Sequence, residues 1–169
     1  MPHLRGTAVH NHWESYQSFE NCEHAFCNGH HLRGLVRAIE QADVHWAKAM
    51  KDLLLDIKTT VDTAKDEGKL ALAASQIDDL NRQYREIVNL GLAPYLTEPR
   101  ANAPAKRRRK KQSKTKDLLH RFDKYQTETL RFMNHFRLPF DNNQAERHIR
   151  MTQVKQKISG TFRSANGTP

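Results

Sequence analysis

The sequence lacks the features of secreted and membrane-spanning proteins. It has only two cysteines, Cys22 and Cys27, too few for a disulfide framework. The residues after Met1 lack the apolar stretch that a signal peptide needs. Apolar runs such as residues 53–55 are far too short to cross a bilayer. We therefore expect a cytoplasmic protein that has no membrane partner.

Acidic residues are also in short supply. The 169 residues contain 28 Lys and Arg against 19 Asp and Glu, which gives a net charge of +9. Such an excess favours a polyanionic partner, because each neutralised phosphate releases a counterion. Acidic membranes and ribosomes also attract basic proteins. With 37% hydrophobic residues, the chain predicts one domain with a real core, or a small core plus an appended module.

β-prone segments are few. Residues 7–9 and 24–27 are predicted strands, and residues 13–19 form at most a turn of helix between them. Two short strands do not make an independent sheet. The chain is therefore either mostly helical or part of an α/β fold with further strands elsewhere.

Most of the remaining sequence has the three- and four-residue apolar spacing of helices. A long helix is predicted from a cap at Asn28 to Gly68, with a break near residues 42–43. A second should run from 70 to 90, ended by Gly91 and Pro94. Residues 94–116 contain three prolines and a basic run, which predicts an exposed loop.

A third helix is predicted over residues 115–136 and a fourth over 141–158. The residues expected to face the core are Leu32, Leu35, Val36, Ile39, Trp46, Met50, Leu53, Leu54, Ile57, Val61, Ile77, Leu80, Tyr84, Ile87, Val88, Leu118, Phe122, Tyr125, Phe132, Met133 and Phe136. The aromatic residues among them are most simply interpreted as core.

The final helix places four polar residues on one face. At 100° per residue, Glu146, Arg150, Gln153 and Lys157 share that face. A carboxylate suits a hard divalent cation, and the cations suit phosphate. Two structural interpretations compete: Asn143 and Glu146 have capping-box spacing, and Glu146 with Arg150 is an ordinary ion pair four residues apart.

A family resemblance bears on this choice. The segment LPFDNNQAERHIRMTQVKQKISGTFRS resembles the C-terminal signature of the insertion-sequence-66 transposase family. The segments VHNHWESY and HAFCNGHHLRGL resemble two upstream blocks of that family, in the expected order. The helical block that begins near Trp46 is also similar, so the resemblance covers nearly the whole chain.

The resemblance implies an α/β fold, a partial ribonuclease-H-like core with a large helical insertion, mostly α in the part present. Residues 1–32 would supply two strands of the core, and residues 33–137 the insertion with the basic loop 94–116. Residues 138–169 would form the catalytic helix and tail. Family activity implies DNA cleavage and strand transfer in transposition, with three carboxylates holding Mg²⁺ or Mn²⁺.

The same resemblance assigns catalytic positions. Glu146 matches the third carboxylate, a metal ligand. The second is expected where this chain has Asn11, whose amide lacks the charge that holds Mg²⁺. The first aspartate would precede Met1. We therefore expect a truncated bacterial transposase fragment that binds no metal tightly and does not cleave DNA by itself.

DNA and other transposase subunits are the implied partners. Transposon ends and target DNA would be contacted through backbone phosphates. The residues assigned to these contacts are Arg147, Arg150, Lys155 and Lys157, with non-specific affinity from Lys106, Arg107, Arg108 and Arg109. A run like 106–111 is also a common feature of solvated loops.

Cysteine and histidine near the second block allow two interpretations. Cys22, His24, Cys27 and His30 offer four ligands for zinc, although their spacing is tighter than that of standard structural sites. The resemblance instead makes Cys27 and His30 a Cys-x-x-His element that braces the core, with His30 and Arg33 directed toward the catalytic centre.

A rival hypothesis dispenses with catalytic ancestry. The chain would then be a basic helical module that docks on DNA or on an intact transposase.

Overall fold

A computed structural model describes residues 5–12, 14–42, 44–96, 113–143 and 151. Its elements, in chain order, are β1 (Thr7–His10), α1 (Glu14–Gln17), β2 (Glu23–Phe26), α2 (Asn28–Ala42), α3 (His45–Asp66), α4 (Ala74–Leu96), α5 (Lys114–Lys124) and α6 (Gln126–Asn134). The described chain is therefore mostly helical, as the sequence predicts. None of its helices is long and apolar enough to cross a membrane.

The two strands lie side by side and run parallel. Thr7 pairs with Glu23, and the register continues to His10 opposite Phe26. Parallel strands need a crossover connection, which here contains α1. Helix α6 packs against β2, and Arg131 Nη1 lies 2.8 Å from Glu23 Oε1. Both strands were predicted from the sequence, and the structure adds that they pair in parallel.

The core lies among α2, α3, α4 and α5. Its largest fully buried side chains include Tyr84, Phe122, Met50 and Leu54. The Tyr84 hydroxyl donates a 2.9 Å hydrogen bond to the carbonyl of Phe122, so this buried hydroxyl has its partner. Burial raises the pKa of Tyr84, which therefore stays neutral. The apolar spacing of the helices predicted nearly all of these positions.

One position of the predicted core is wrong. Val36 is 41% exposed. The buried stripe of α2 consists of Asn28, His31, Leu35 and Ala38, which places Val36 on the solvent side. Two polar residues occupy this stripe because they hydrogen-bond there. The Asn28 side chain donates to the Thr129 carbonyl, and its oxygen lies 3.1 Å from His31 Nδ1.

The predicted break near residues 42–43 is confirmed, because α2 ends at Ala42 and α3 begins at His45. The predicted end of α4 is wrong, since the helix continues past Gly91 and Pro94 to Leu96. A proline in the last turn withholds only one hydrogen bond, from the carbonyl four residues earlier. At the ends of the predicted loop 94–116, residues 94–96 belong to α4 and residues 114–116 belong to α5. Residues 97–112 lie outside the described ranges.

Gly91 is needed for packing rather than for helix termination. It is buried, and a Cβ built there would lie 2.9 Å from Leu119 Cδ1 and 3.0 Å from Trp46 Cγ. Such distances leave no room for a side chain. The glycine therefore lets α4 approach α5 and α3 closely.

The predicted helix 115–136 is in fact two helices, α5 and α6, which meet at Tyr125. The Thr129 hydroxyl donates 2.8 Å to the Tyr125 carbonyl, which also accepts from the Thr129 backbone N–H. Such back-bonding of threonine to the preceding turn bends helices. The Tyr125 ring packs against Phe26 and His12, with ring centroids 5.3 and 4.5 Å apart, so the bend joins α5 and α6 to the strand pair.

Candidate functional site

A small cleft lies at the carboxyl ends of the two parallel strands. Asn11 directly follows β1 and Cys27 directly follows β2, so both lie at the same edge. In open α/β sheets, ligands bind in the crevice at this edge. The cleft has a volume of about 240 Å³, and its lining residues are Asn11, His12, Cys27, His30, His31 and Arg121.

A distant segment of the chain is attached beside this cleft. The backbone N–H of Asn142 donates to Cys27 Sγ at 3.2 Å, and its side-chain amide donates to the Val9 carbonyl at 3.2 Å. The Asn28 backbone N–H donates to the Phe140 carbonyl at 3.0 Å. Asn142 therefore ties the start of the final segment to the ends of both strands.

Gly29 allows this approach. A Cβ on Gly29 would lie 3.3 Å from both Asn143 Oδ1 and Asp141 Cβ, which is closer than ordinary contact. The turn at 141–143 is itself braced, because the Asn143 backbone N–H donates 3.1 Å to Asp141 Oδ1. The backbone of Gly29 in the first turn of α2 therefore packs directly against the side chains of Asp141 and Asn143.

Asn11 has an unsatisfied polar atom. Its side-chain oxygen is buried and has no hydrogen-bond partner among the described residues. Leaving a buried acceptor unpaired costs on the order of 1–3 kcal/mol. Proteins tolerate such a cost chiefly at functional positions. The Asn11 side chain at the end of β1 is thus a neutral hydrogen-bond acceptor that accepts no hydrogen bond from the described residues.

Burial favours the neutral form of two histidines that line the cleft, His12 and His31. His31 is almost fully buried, and burial, followed by the charge of Arg121, lowers its pKa to about 3. Because the Asn28 amide donates to Thr129, its oxygen accepts from His31 Nδ1, which places the imidazole proton on Nδ1. Burial also lowers the pKa of His12, with Arg121 as the next cause.

His10 and His24 form a hydrogen-bonded pair beside the cleft. His10 Nδ1 lies 2.7 Å from the Asn11 carbonyl, which can only accept, so Nδ1 carries the proton. His10 Nε2 then accepts from His24 Nδ1 at 3.0 Å. Burial lowers the pKa of His10, which favours the neutral form of this ring. The pair fixes the backbone at the start of the cleft.

Arg121 is the cation of the cleft. It is half-buried and forms no ion pair with any described carboxylate. The sequence did not identify Arg121, which looks like any other charged residue of an amphipathic helix. Its position next to the buried Phe122 and three residues after the buried Leu118 was its only signal, and many exposed residues share that signal.

One of three comparisons with known proteins gives a match. A model of the transposase IS66 family matches residues 1–169, the whole chain. The chain belongs to this family. No curated protein and no solved structure matches it.

The structure brings together three of the predicted site residues of this IS66-family chain. Asn11, Cys27 and His30 all line the cleft, and Cys27 accepts the bond from Asn142. Arg33 is exposed one turn further along α2 and does not line the cleft. The other predicted residues lie outside the described ranges: Glu146, Arg147, Arg150, Lys155, Lys157, Lys106, Arg107, Arg108 and Arg109.

Three of the four proposed zinc ligands have separate hydrogen-bond partners. The Cys22 thiol donates to the Phe19 carbonyl, His24 bonds to His10, and Cys27 bonds to Asn142. Across the described residues, no three His, Cys, Asp or Glu side chains are grouped as metal ligands would be. Cys27 is buried and accepts a hydrogen bond from the backbone of Asn142, and its bracing role stays a prediction.

The side chains that line the cleft do not fit a magnesium site. Mg²⁺ prefers carboxylate oxygens, and the lining residues include none. Asn11 offers a neutral oxygen, and the Arg121 guanidinium opposes a second positive charge. The described lining residues could form hydrogen bonds or hold an anion, but they lack the negative charge that binds a divalent cation.

Proposed function

We propose that this chain is a DNA-binding member of the IS66 transposase family that does not cleave DNA itself. Its cleft would be the remnant of a metal-dependent cleavage site. One observation carries the proposal: Asn11 presents a buried, unpaired neutral oxygen at the end of β1, where the family resemblance expects an aspartate.

We extend the proposal to a ribonuclease-H-like ancestry of the core. Two features support this ancestry. The strands β1 and β2 are parallel and end at the same cleft, and Asn142, from a distant segment of the chain, hydrogen-bonds to Val9 of β1. In the intact relatives, this core would perform the cleavage and strand transfer of DNA transposition and recombination. The chain would work in the bacterial cytoplasm, where other transposase subunits are available as partners.

The three predicted segments are part of this proposal. Residues 1–32 and 138–169 would make the core, and contacts of Asn142 with Val9 and Cys27 support their association. Residues 33–137 would form the insertion. Its last helix, α6, packs on β2, so the end of the insertion also braces the core.

Glu146 would be the surviving carboxylate of the metal set. The proposal rests on the resemblance of the final segment to the C-terminal signature of the family, and Glu146 follows Asn142, which contacts Cys27 and Val9, by four residues in the sequence. Arg147, Arg150, Lys155 and Lys157 would contact phosphates from the same final segment, and Lys106, Arg107, Arg108 and Arg109 would add non-specific affinity. In an intact relative Mg²⁺ or Mn²⁺ would polarise the scissile phosphate.

Incubation with supercoiled plasmid tests the proposal. We expect the chain to bind duplex DNA with an affinity that falls steeply as salt rises. We expect no nicked circles in Mg²⁺ or Mn²⁺, because the charge at position 11 is missing. Binding is measured by fluorescence anisotropy and nicking by gel electrophoresis.

The matched control is Glu146→Gln, prepared in parallel. It reports contaminating nuclease, since it removes the surviving carboxylate. Nicking by the natural chain above the level of this variant would refute the inactivity. An absence of salt-dependent DNA binding would refute the DNA-binding role.

A further inference from the structure

A second cleft lies between α2 and α5 and adjoins the first. Its volume is about 220 Å³, and its polar lining includes Arg37, Gln41, Lys114, Asp117 and Arg121. Arg121 lines both this cleft and the one that contains Asn11. The two clefts therefore share the Arg121 side chain, and we call them together the Arg121 groove.

Positive charge dominates the groove. Arg37, Lys114 and Arg121 face a single lining carboxylate, Asp117, which is exposed. None of these three cations forms an ion pair with a described carboxylate. Elsewhere in the described chain, arginines of similar exposure are paired, as Arg85 is with Asp123 and Arg131 with Glu23.

The position of Arg121 makes this imbalance costly. A guanidinium that is half-buried has lost part of its hydration and gains from an anionic partner. Its charge also contributes to the low pKa values of His12 and His31. Among the described residues that line the two clefts, Asp117 is the one carboxylate, and it forms no ion pair with Arg121. Asn11 is a neutral amide, so Arg121 is left without an anionic partner among these residues.

We propose that the Arg121 groove binds the phosphate backbone of DNA and leads it to the Asn11 cleft. A phosphodiester oxygen pair matches the planar fork of a guanidinium. Arg121 sits at the junction, and Arg37 and Lys114 hold the flanking phosphates. This surface is separate from the basic residues of the final segment and of 106–109. It rests on the proposed DNA-binding function and locates it on α2 and α5.

Close packing of α2 on α5 makes the groove a fixed surface. A Cβ on Gly34 would lie 3.3 Å from Leu118 Cδ1 and Cδ2, so the two helices approach without a gap beneath the cations. Leu118 and Leu119 are buried in the core. The cations therefore project from two closely packed helices.

Arg121→Gln and Arg37→Gln, each in the full chain, test the groove. The probe is a fluorescent duplex, titrated between about 50 and 200 mM salt. We expect either variant to weaken binding by about tenfold at low salt, the effect of losing one charged hydrogen bond. We also expect the slope of log affinity against log salt to fall by about 0.9 for each cation removed.

Arg82→Gln is the control for charge. Arg82 is an exposed arginine on α4 that pairs with Asp79 and lines neither cleft. Arg82→Gln removes the same charge as the groove variants, and we expect its slope of log affinity against log salt to stay close to that of the natural chain. Arg121→Lys retains the charge and should keep most of the slope. Arg37 is exposed, so its variant reports on binding even if Arg121→Gln destabilises the fold.

The possible results separate this proposal from the broader function. If the natural chain binds DNA and both groove variants behave like Arg82→Gln, the groove assignment is wrong while DNA binding stands. If the natural chain does not bind DNA at all, both proposals fail.

Discussion

Replacing Phe122 by alanine should lower the free energy of unfolding by about 3–5 kcal/mol. Phe122 is fully buried. Its ring centroid lies 5.0 Å from that of His31, 6.5 Å from that of Trp46 and 6.2 Å from that of Tyr84. One side chain therefore contacts α2, α3 and α4 from its place on α5. Its loss leaves a cavity at the point where four helices meet.

The effect is large relative to the total stability of a domain, about 5–15 kcal/mol. Urea denaturation followed by circular dichroism measures it. Phe136→Ala is the matched control, because Phe136 is only partly buried at the edge of the core, and we expect a clearly smaller loss. Equal losses for the two variants would contradict the packing described here.

Acid should destabilise the protein through His31. Its pKa is about 3 in the folded chain against 6.5 as the ordinary value, because burial and the nearby Arg121 penalise the charged ring. The unfolded state therefore binds the proton more tightly. The stability is complete above pH 6.5 and is lost as the pH falls from 6.5 toward 3. The slope is about 1.4 kcal/mol per pH unit, or about 2 kcal/mol by pH 5.

Burial lowers the pKa of His10 and His12 as well, so they add to the acid sensitivity in the same direction. His31→Gln isolates the main contribution, because a neutral amide replaces the titrating ring. Urea midpoints at several pH values between 7.5 and 5 measure the effect. We expect the variant to lose less stability on acidification than the natural chain. Parallel pH profiles for the two proteins would show that His31 does not titrate in this way.

Much of the fold could be predicted because it depends on local periodicity. The apolar spacing of residues such as Met50, Leu54 and Ile57 follows directly from helical geometry, and all three are buried. The errors came from long-range packing. Gly91 looked like a helix end, but the neighbours Trp46 and Leu119 require a glycine inside the helix.

The bend at Tyr125 escaped prediction for a similar reason. The local sequence has a continuous helical pattern, and only the Thr129 hydroxyl bond and the packing of Tyr125 on Phe26 distinguish the site. Val36 shows the reverse case. Its apolar character predicted burial, but hydrogen bonds of Asn28 and His31 turned α2 so that polar residues face inward.

The candidate site divides in the same way. Family resemblance located Asn11, Cys27 and His30, which converge on one cleft. It did not reveal that Asn142 joins that cleft to both strands across more than a hundred residues. Nor did it single out Arg121, since the significance of this cation depends on the helix opposite it. Such contacts have no signature in a single sequence.

We propose that the amide at position 11 is one reason why the cleft does not hold a divalent cation. Asn11→Asp restores the charge, and Glu146 of the natural chain would then share the ion. Ligand binding raises stability by about 1.4 kcal/mol when the ligand is at ten times its dissociation constant. For a chain of this size, that corresponds to a rise of about 3–6 °C in Tm.

The direct measurement is Tm against MnCl₂ concentration for three full-length proteins: the natural chain, Asn11→Asp, and Asn11→Asp combined with Glu146→Gln. We predict a saturable rise for Asn11→Asp, with little change for the other two. A rise of equal size in the natural chain, or no rise in Asn11→Asp, would contradict the account.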